Sequence, residues 1–199
     1  MKSYEKLISY IEKIDLKLST VSVEPVYNHI GAVIIDSVLQ AGLNYKTVVY
    51  PRVTKVIEQF ETFDTTETFT ELISMLGIEN IINFNNTRKN RLIVDLLEFF
   101  KFENISNVSD LHVWLKSKGN SDKLLDFNGV GYKTLDYMKK LVGIDSLPVD
   151  RHISLFLELA GIKMKKYDDI QNVYKEAASR LKINLLSLDY TIWYYMAYN

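Results

Sequence analysis

Apolar residues recur at three- and four-residue spacing along almost the whole chain, the pattern of helices that each bury one face. YEKLISYIEKIDLKL (4–18) shows it first. PVYNHIGAVIIDSVLQAG (25–42) opens on a proline suited to a first helical turn and closes on Gly42. In LNYKTVVYPRVTKVIEQF (43–60) the proline begins a helix rather than sitting inside one. DTTETFTELISMLG (64–77) places Asp64 and Glu67 at capping-box spacing and stops at Gly77. NNTRKNRLIVDLLEFF and VSDLHVWLKSKG give two more helices, and SDKLLDF and GYKTLDYMKKLVG flank a turn. DRHISLFLELAGI, YDDIQNVYKEAASRLK and LSLDYTIWYYMAY close the chain. About ten helices with short connections predict an all-α protein. A strand is conceivable at VSVEPVY, but no alternation lasts long enough to build a sheet.

Composition narrows the class. The chain has 199 residues, enough for two small helical lobes, and its 47% hydrophobic content excludes a disordered chain. No apolar run reaches the length of a membrane span, and the charged N-terminus MKSYEKLISYIEKID lacks a secretory cleavage site, so a soluble, cytoplasmic protein is expected. Cysteine is absent, which removes disulfides, cysteine nucleophiles and thiolate-bound zinc or iron–sulfur clusters. The net charge of −1 argues weakly against a nucleic-acid partner, but its distribution is uneven. Glu58, Glu61, Asp64, Glu67, Glu71 and Glu79 form an acidic stretch without a basic residue. Arg88, Lys89, Arg91, Lys116, Lys118, Lys123, Lys133, Lys139 and Lys140 follow. One basic face and a scatter of solvated charges are both compatible with this order.

The chemistry concentrates at FNGVGYKT (127–134). Asn128 and Gly129 tolerate positive φ and suit a tight turn, Gly131 permits a close backbone approach, and a helix begins near Tyr132. The unpaired N–H groups and positive dipole end of that helix suit an anion such as phosphate. The result is a helix–hairpin–helix, which holds a nucleic-acid backbone without reading sequence. Neither the Walker nor the dinucleotide-binding glycine spacing is present. On these residues alone, a phosphate cradle and an ordinary turn between packed helices are equally admissible. Lys133 lies in the first turn of the helix, and seventeen positions later Asp150 stands in LPVDRHI as an N-cap for a helix through Ile153 and Leu157. A deprotonated amine is a nucleophile and a carboxylate stabilises developing positive charge, whereas Asp150 taken alone is simply a cap.

Together, LLDFNGVGYKT and LPVDRHI resemble the helix–hairpin–helix DNA glycosylase superfamily, most closely its endonuclease III and 8-oxoguanine glycosylase/lyase branches. The resemblance is strong over about 121–160, weaker over 28–120 and thin elsewhere. It implies two helical lobes with a DNA-binding cleft between them. Residues 28–146 would form the central lobe, with the hairpin motif at about 121–142. Residues 1–27 and 147–199 would form the second lobe. The partner implied is double-stranded DNA containing a lesion, bound by a monomer that flips the target nucleotide out of the duplex. Lys133 would attack C1′, Asp150 would support the oxocarbenium-like transition state, and the resulting Schiff base would allow β-elimination, an apurinic/apyrimidinic lyase step. A monofunctional glycosylase and a non-catalytic DNA-binding module are the alternatives.

The resemblance also implies lesser roles. Gln40, in IGAVIIDSVLQAGLNYKTVV, matches the glutamine that fills the gap left by a flipped nucleotide. Gly129, Val130 and Gly131 would hold phosphate, with Tyr132 and Thr134 beside them. The carbonyls of Leu125, Phe127 and Val130 match positions that hold a monovalent cation in related hairpins. His152 would order the start of its helix, and Arg151 would touch a phosphate or stay solvated. Phe84, Asn85 and Asn86 are candidates for a wedge, with loop capping as the alternative for the asparagines. Two departures stand out: the hairpin reads Phe-Asn-Gly where the family has Leu-Pro-Gly, and the C-terminal cysteine cluster of endonuclease III is missing. No iron–sulfur cluster and no required cofactor are therefore expected. Trp193, Tyr194 and Tyr195, at helical spacing near the C-terminus, read as core rather than as base-pocket residues.

Overall fold

A computed structural model describes residues 1–198. Among them the regular structure is helical, and the fold is all-α as the periodicity predicts. An isolated bridge between Pro25 and Val142 takes the place of the conceivable strand at VSVEPVY. The chain divides into two units: Met1–Val23 with the segment from Asp145 onward, and Glu24–Ile144.

The unit Glu24–Ile144 is built around α2 (Ile30–Leu39), in which every residue is buried. A helix that is apolar on all sides belongs inside, and α3 (Tyr50–Gln59), α4 (Thr66–Leu76), α6 (Thr87–Phe102) and α9 (Tyr132–Leu141) pack around it. Gly31 makes one of these contacts possible: a Cβ there would sit 2.6 Å from the Phe69 ring on α4. His29 caps α2, its Nδ1 accepting from Ala32 N–H at 3.3 Å, so Pro25 does not start this helix. Instead Val26 N–H donates to Leu141 C=O at 2.9 Å, pairing the segment with the end of α9. Pro51 does fall in the first turn of α3, behind a π-helical turn at Tyr45–Val49. The cap of α4 is Thr65, not Asp64. The Thr65 and Thr68 hydroxyls each accept the other residue's N–H at 3.2 Å, while Asp64 C=O accepts from Ile30 N–H at 2.9 Å. The short α5 (Ile78–Ile82) had no sequence expectation, because five residues are too few to show a period. After α6 come α7 (Val108–Leu115), α8 (Lys118–Lys123) and a 3₁₀ turn at Leu124–Asp126 that leads into the hairpin.

The other unit holds α1 (Ser3–Lys13), α10 (Arg151–Leu159), α11 (Tyr167–Leu181) and α12 (Leu185–Tyr198). Its own core gathers Leu7, Ile11, Leu147, Ile153, Phe156, Leu157, Tyr174 and Ile192. The helix expected to run on to residue 18 ends at Lys13, because Asp15 turns to φ 47° and breaks the ladder. The strand-like segment that follows is tied to α12 instead, with Ser19 N–H on Thr191 Oγ1 and Val21 N–H on Ser187 Oγ.

Candidate functional site

The hairpin forms between the 3₁₀ turn and α9. Phe127 N–H donates to Leu124 C=O at 3.3 Å, and Val130 N–H to Phe127 C=O at 2.9 Å. Of the two residues suited to positive φ, only Gly129 uses it, at φ 114°. Gly131 caps α9 in an extended conformation (φ −111°, ψ 179°), and no side chain caps this helix. A Cβ on Gly131 would meet no atom within 4 Å, so the space over its backbone is open. The loop is braced from α6, where Arg88 Nη2 donates to Asn128 Oδ1 at 3.0 Å. Phe127 packs edge-on against Phe99 with ring centroids 5.2 Å apart, and Val130 is buried.

These bonds redistribute the expected roles. Val130 N–H closes the turn and is not available to an outside anion, which leaves the Gly129 and Gly131 amides and the first turn of α9. Thr134 is buried, so its hydroxyl lies in the core rather than toward solvent. Tyr132 is 53% exposed, and Lys133, on the first turn, is half-buried. Phe127 C=O accepts one hydrogen bond and keeps a second lone pair. A neutral carbonyl set of Leu125, Phe127 and Val130 is a suitable donor type for a monovalent cation.

Near the end of α2, Gln40 is half-buried and its Nε2 donates to Ser37 C=O at 3.3 Å. Lys89 of α6 seals this helix end, its Nζ donating to Val38 C=O at 2.7 Å and Ala41 C=O at 2.9 Å. Burial first, and then the neighbouring Arg88 charge, hold the Lys89 pKa below the usual lysine range. Two adjacent residues of α6 therefore tie down the segment carrying Gln40 and the hairpin loop.

Asp150 caps α10: one carboxylate oxygen, Oδ1, accepts from His152 N–H at 2.8 Å and Ile153 N–H at 3.0 Å. The other, Oδ2, lies 4.0 Å from His152 Nδ1, a buried atom without a hydrogen-bond partner among the described residues. The backbone of His152, not its ring, orders the helix start. Arg151 is exposed. Lys133 and Asp150 belong to different units of the chain.

Two expectations are corrected. Phe84 packs on the core beneath Arg52, whose guanidinium stands 5.0 Å from the ring centroid, so it is no free wedge. Asn86 instead meets the capping alternative, accepting from Lys89 N–H at 3.0 Å at the start of α6, while Asn85 is exposed. In α12, Trp193 and Tyr194 are 45% and 53% exposed. Only Tyr195 of the three reaches the core, against Phe156 at 5.8 Å. Leu188 and Ile192 already fill the inward face of α12, so Tyr190, Trp193 and Tyr194 point outward.

Sequence reading missed one cluster altogether. Asp36 sits fully buried in the middle of α2, and three phenols converge on it. Tyr27 and Tyr45 donate to Oδ2 at 2.8 and 3.3 Å, and Tyr137 of α9 donates to Oδ1 at 3.2 Å. Burial raises the Asp36 pKa, opposed by the tyrosine hydrogen bonds and the Lys140 charge. A lone charged residue in the apolar run IGAVIIDSVL was the available signal. Groups of three or more histidine, aspartate or glutamate side chains able to hold a metal ion are absent among the described residues.

A comparison with solved structures finds the crystal structure of 3-methyladenine DNA glycosylase (MagIII) from H. pylori, bound to 1,N6-ethenoadenine. The match has a TM-score of 0.63 and 17% sequence identity, and covers 92% of this chain and 84% of that one. At such identity the likeness is one of fold alone. No curated protein sequence matches. Residues 5–197 match the family described as a domain of unknown function, DUF8548, and this chain, matched over nearly its whole length, belongs to that family.

Proposed function

We propose that the chain is a DNA glycosylase of base-excision repair that acts on a flipped-out base and also nicks the strand. The observation that carries this reading is the hairpin. It presents an uncapped helix N-terminus, open space over Gly131 and a half-buried Lys133 on the first turn, within a glycosylase-like fold. The Gly129 and Gly131 amides bind a phosphate of the lesion strand, and Gln40 occupies the gap in the duplex. If the hairpin carbonyls bind a monovalent cation, its charge favours phosphate at the same turn.

In this mechanism the neutral Lys133 amine forms a bond to C1′ as the C1′–N bond breaks, and the base leaves with the bonding pair and takes up a proton. The Asp150 carboxylate stabilises the positive charge on the sugar. The lysine–sugar adduct loses a proton and opens to a Schiff base. Loss of a C2′ proton then expels the 3′-phosphate, and water frees Lys133.

Borohydride reduction tests this chemistry, because it converts a Schiff base to a stable amine. Wild-type protein is expected to cross-link to duplexes containing a lesion or an abasic site, and Lys133→Gln to lose the cross-link. Asp150→Asn is expected to lower base excision by about a hundredfold or more, the usual scale for removing a charge-stabilising group. Excision without any trapped adduct would leave a monofunctional enzyme. DNA binding without excision of any base would leave a non-catalytic module.

A further inference from the structure

Asp150 and His152 stand at the start of one helix, but only the first uses its side chain there. Asp150 Oδ1 holds the His152 and Ile153 amides, so the end of α10 is satisfied without the imidazole. The ring nitrogen Nδ1 is buried and has no hydrogen-bond partner among the described residues, a costly arrangement that calls for a cause. Across from it lies Asp150 Oδ2, 4.0 Å away. A nitrogen lone pair set against a carboxylate would be repulsive, so Nδ1 carries the hydrogen and Nε2 the lone pair. The side chain keeps 21% of its surface, and because Nδ1 is buried, Nε2 is the ring nitrogen a substrate can meet. A closing movement of about 1 Å would bring Nδ1–H and Oδ2 into hydrogen-bond range. The pair would then be a carboxylate that orients an imidazole base.

The neighbouring groups are engaged otherwise. Arg151 is exposed and cationic. Tyr174 of α11 is buried and donates to Ile153 C=O at 2.8 Å. Burial first, and then the Asp150 and Asp189 charges, raise its pKa, so it stays protonated. Asp189 of α12 is itself buried, and the Tyr167 hydroxyl accepts from Val149 N–H at 3.2 Å. Asp150 is needed as an anion, since a proton on Oδ2 would cancel the charge that supports a cationic sugar adduct. The base left in this group is His152 Nε2.

We infer that His152 is a further catalytic residue of the strand-nicking step: it removes the C2′ proton of the lysine–sugar Schiff base, with Asp150 orienting its ring. The inference rests on the glycosylase and lyase reading above, and it names the proton acceptor which that reading leaves open. The protonated Schiff base is an iminium. Its C2′–H bond breaks and the proton passes to Nε2. The bonding pair forms C1′=C2′ while the C1′=N pair moves onto nitrogen. The nitrogen pair then returns, C2′=C3′ forms, and the C3′–O bond breaks with its electrons leaving on the 3′-phosphate. The imidazolium is held by the Asp150 charge until it gives its proton to water.

Duplexes carrying a preformed abasic site isolate this step, because no base has to be excised. On them wild-type protein nicks the strand, and borohydride traps the adduct that precedes the nick. His152→Asn should form the adduct as wild type does yet nick about a hundredfold more slowly or worse, the usual contribution of a general base. The adduct trapped at a fixed time should therefore rise as the nick falls, which a folding or binding defect would not produce. His152→Gln, read in the same two ways, serves if His152→Asn does not fold. A folded variant that nicks at the wild-type rate overturns the inference and leaves the glycosylase and lyase reading intact. So does one in which adduct and nick fall in equal proportion, since the loss then lies before the Schiff base. Wild-type protein that traps no adduct removes the lyase reading, and this inference with it.

Discussion

Replacing Gly131 with alanine separates folding from DNA binding. Gly131 sits at φ −111° and ψ 179°, a conformation any residue adopts, and the added Cβ would have nothing within 4 Å. The folded state therefore tolerates the methyl group, and the reduced freedom of the unfolded chain should raise stability by about 0.4–1 kcal/mol. The same methyl group would crowd a phosphate oxygen at about 2.9 Å from the residue 131 amide. Loss of one charge-assisted hydrogen bond should weaken binding by about 1.5–3 kcal/mol, or roughly ten- to a hundredfold. Denaturant unfolding reads the first effect, and fluorescence anisotropy on a labelled duplex across a salt series reads the second. The residue 131 amide is neutral and displaces no counterion, so the slope of log K against log salt should stay unchanged while the affinity falls. Gly129→Ala is the contrast. Its φ of 114° and the Leu92 Cδ2 atom 2.9 Å from a built Cβ strain the fold itself, at a cost of about 1–3 kcal/mol. A Gly131→Ala protein that is stable and binds DNA with unchanged affinity would refute the phosphate assignment at this turn.

Other perturbations test the frame that holds the turn. His29 is buried, with Nδ1 accepting from Ala32 N–H and Nε2 placed to donate to Phe60 C=O at 3.2 Å, so it folds neutral. Burial lowers its pKa from 6.5, against the opposing influence of the Phe60 carbonyl and the Asp64 charge. A lowered folded value means its contribution is complete above 6.5 and is lost as pH falls below 6.5 toward the folded pKa. His29→Asn keeps a capping acceptor and removes the titration. Relative to this variant, wild-type protein should lose stability with a slope of up to about 1.4 kcal/mol per pH unit on acidification. Parallel stability curves between pH 7 and 5 would show that His29 does not fold neutral. Lys89→Met leaves the Val38 and Ala41 carbonyls without their donor and the end of α2 without its cation. The expected loss is about 1–2 kcal/mol in chemical denaturation, and a variant as stable as wild type would refute the clamp.

Much of the fold is written locally. Apolar periodicity, Pro51 in a first turn, and glycines at 77 and 129 act within a few residues, so the helices and the hairpin can be read from the chain directly. The all-α class follows from the same signals. The errors arose where short-range signals compete. Asp64 and Thr65 are both good caps, and the reciprocal Thr65–Thr68 bonds decided between them. Pro25 suits a helix start, yet the segment's hydrogen bond to Leu141 draws it out of the helix.

What the sequence determined alone was the succession of helices, the absence of cysteine chemistry, and a glycine turn followed by a lysine. Which groups remain available depended on tertiary packing. The Val130 amide is spent inside the turn, Thr134 is turned into the core, Phe84 is covered by Arg52, and Arg88 reaches forty residues along the chain to brace Asn128. The Asp36 cluster is the clearest case. Its tyrosines come from three separate segments, at 27, 45 and 137, and no local pattern links them. Packing against α2 brings them together because a buried carboxylate requires donors that its own apolar helix cannot supply.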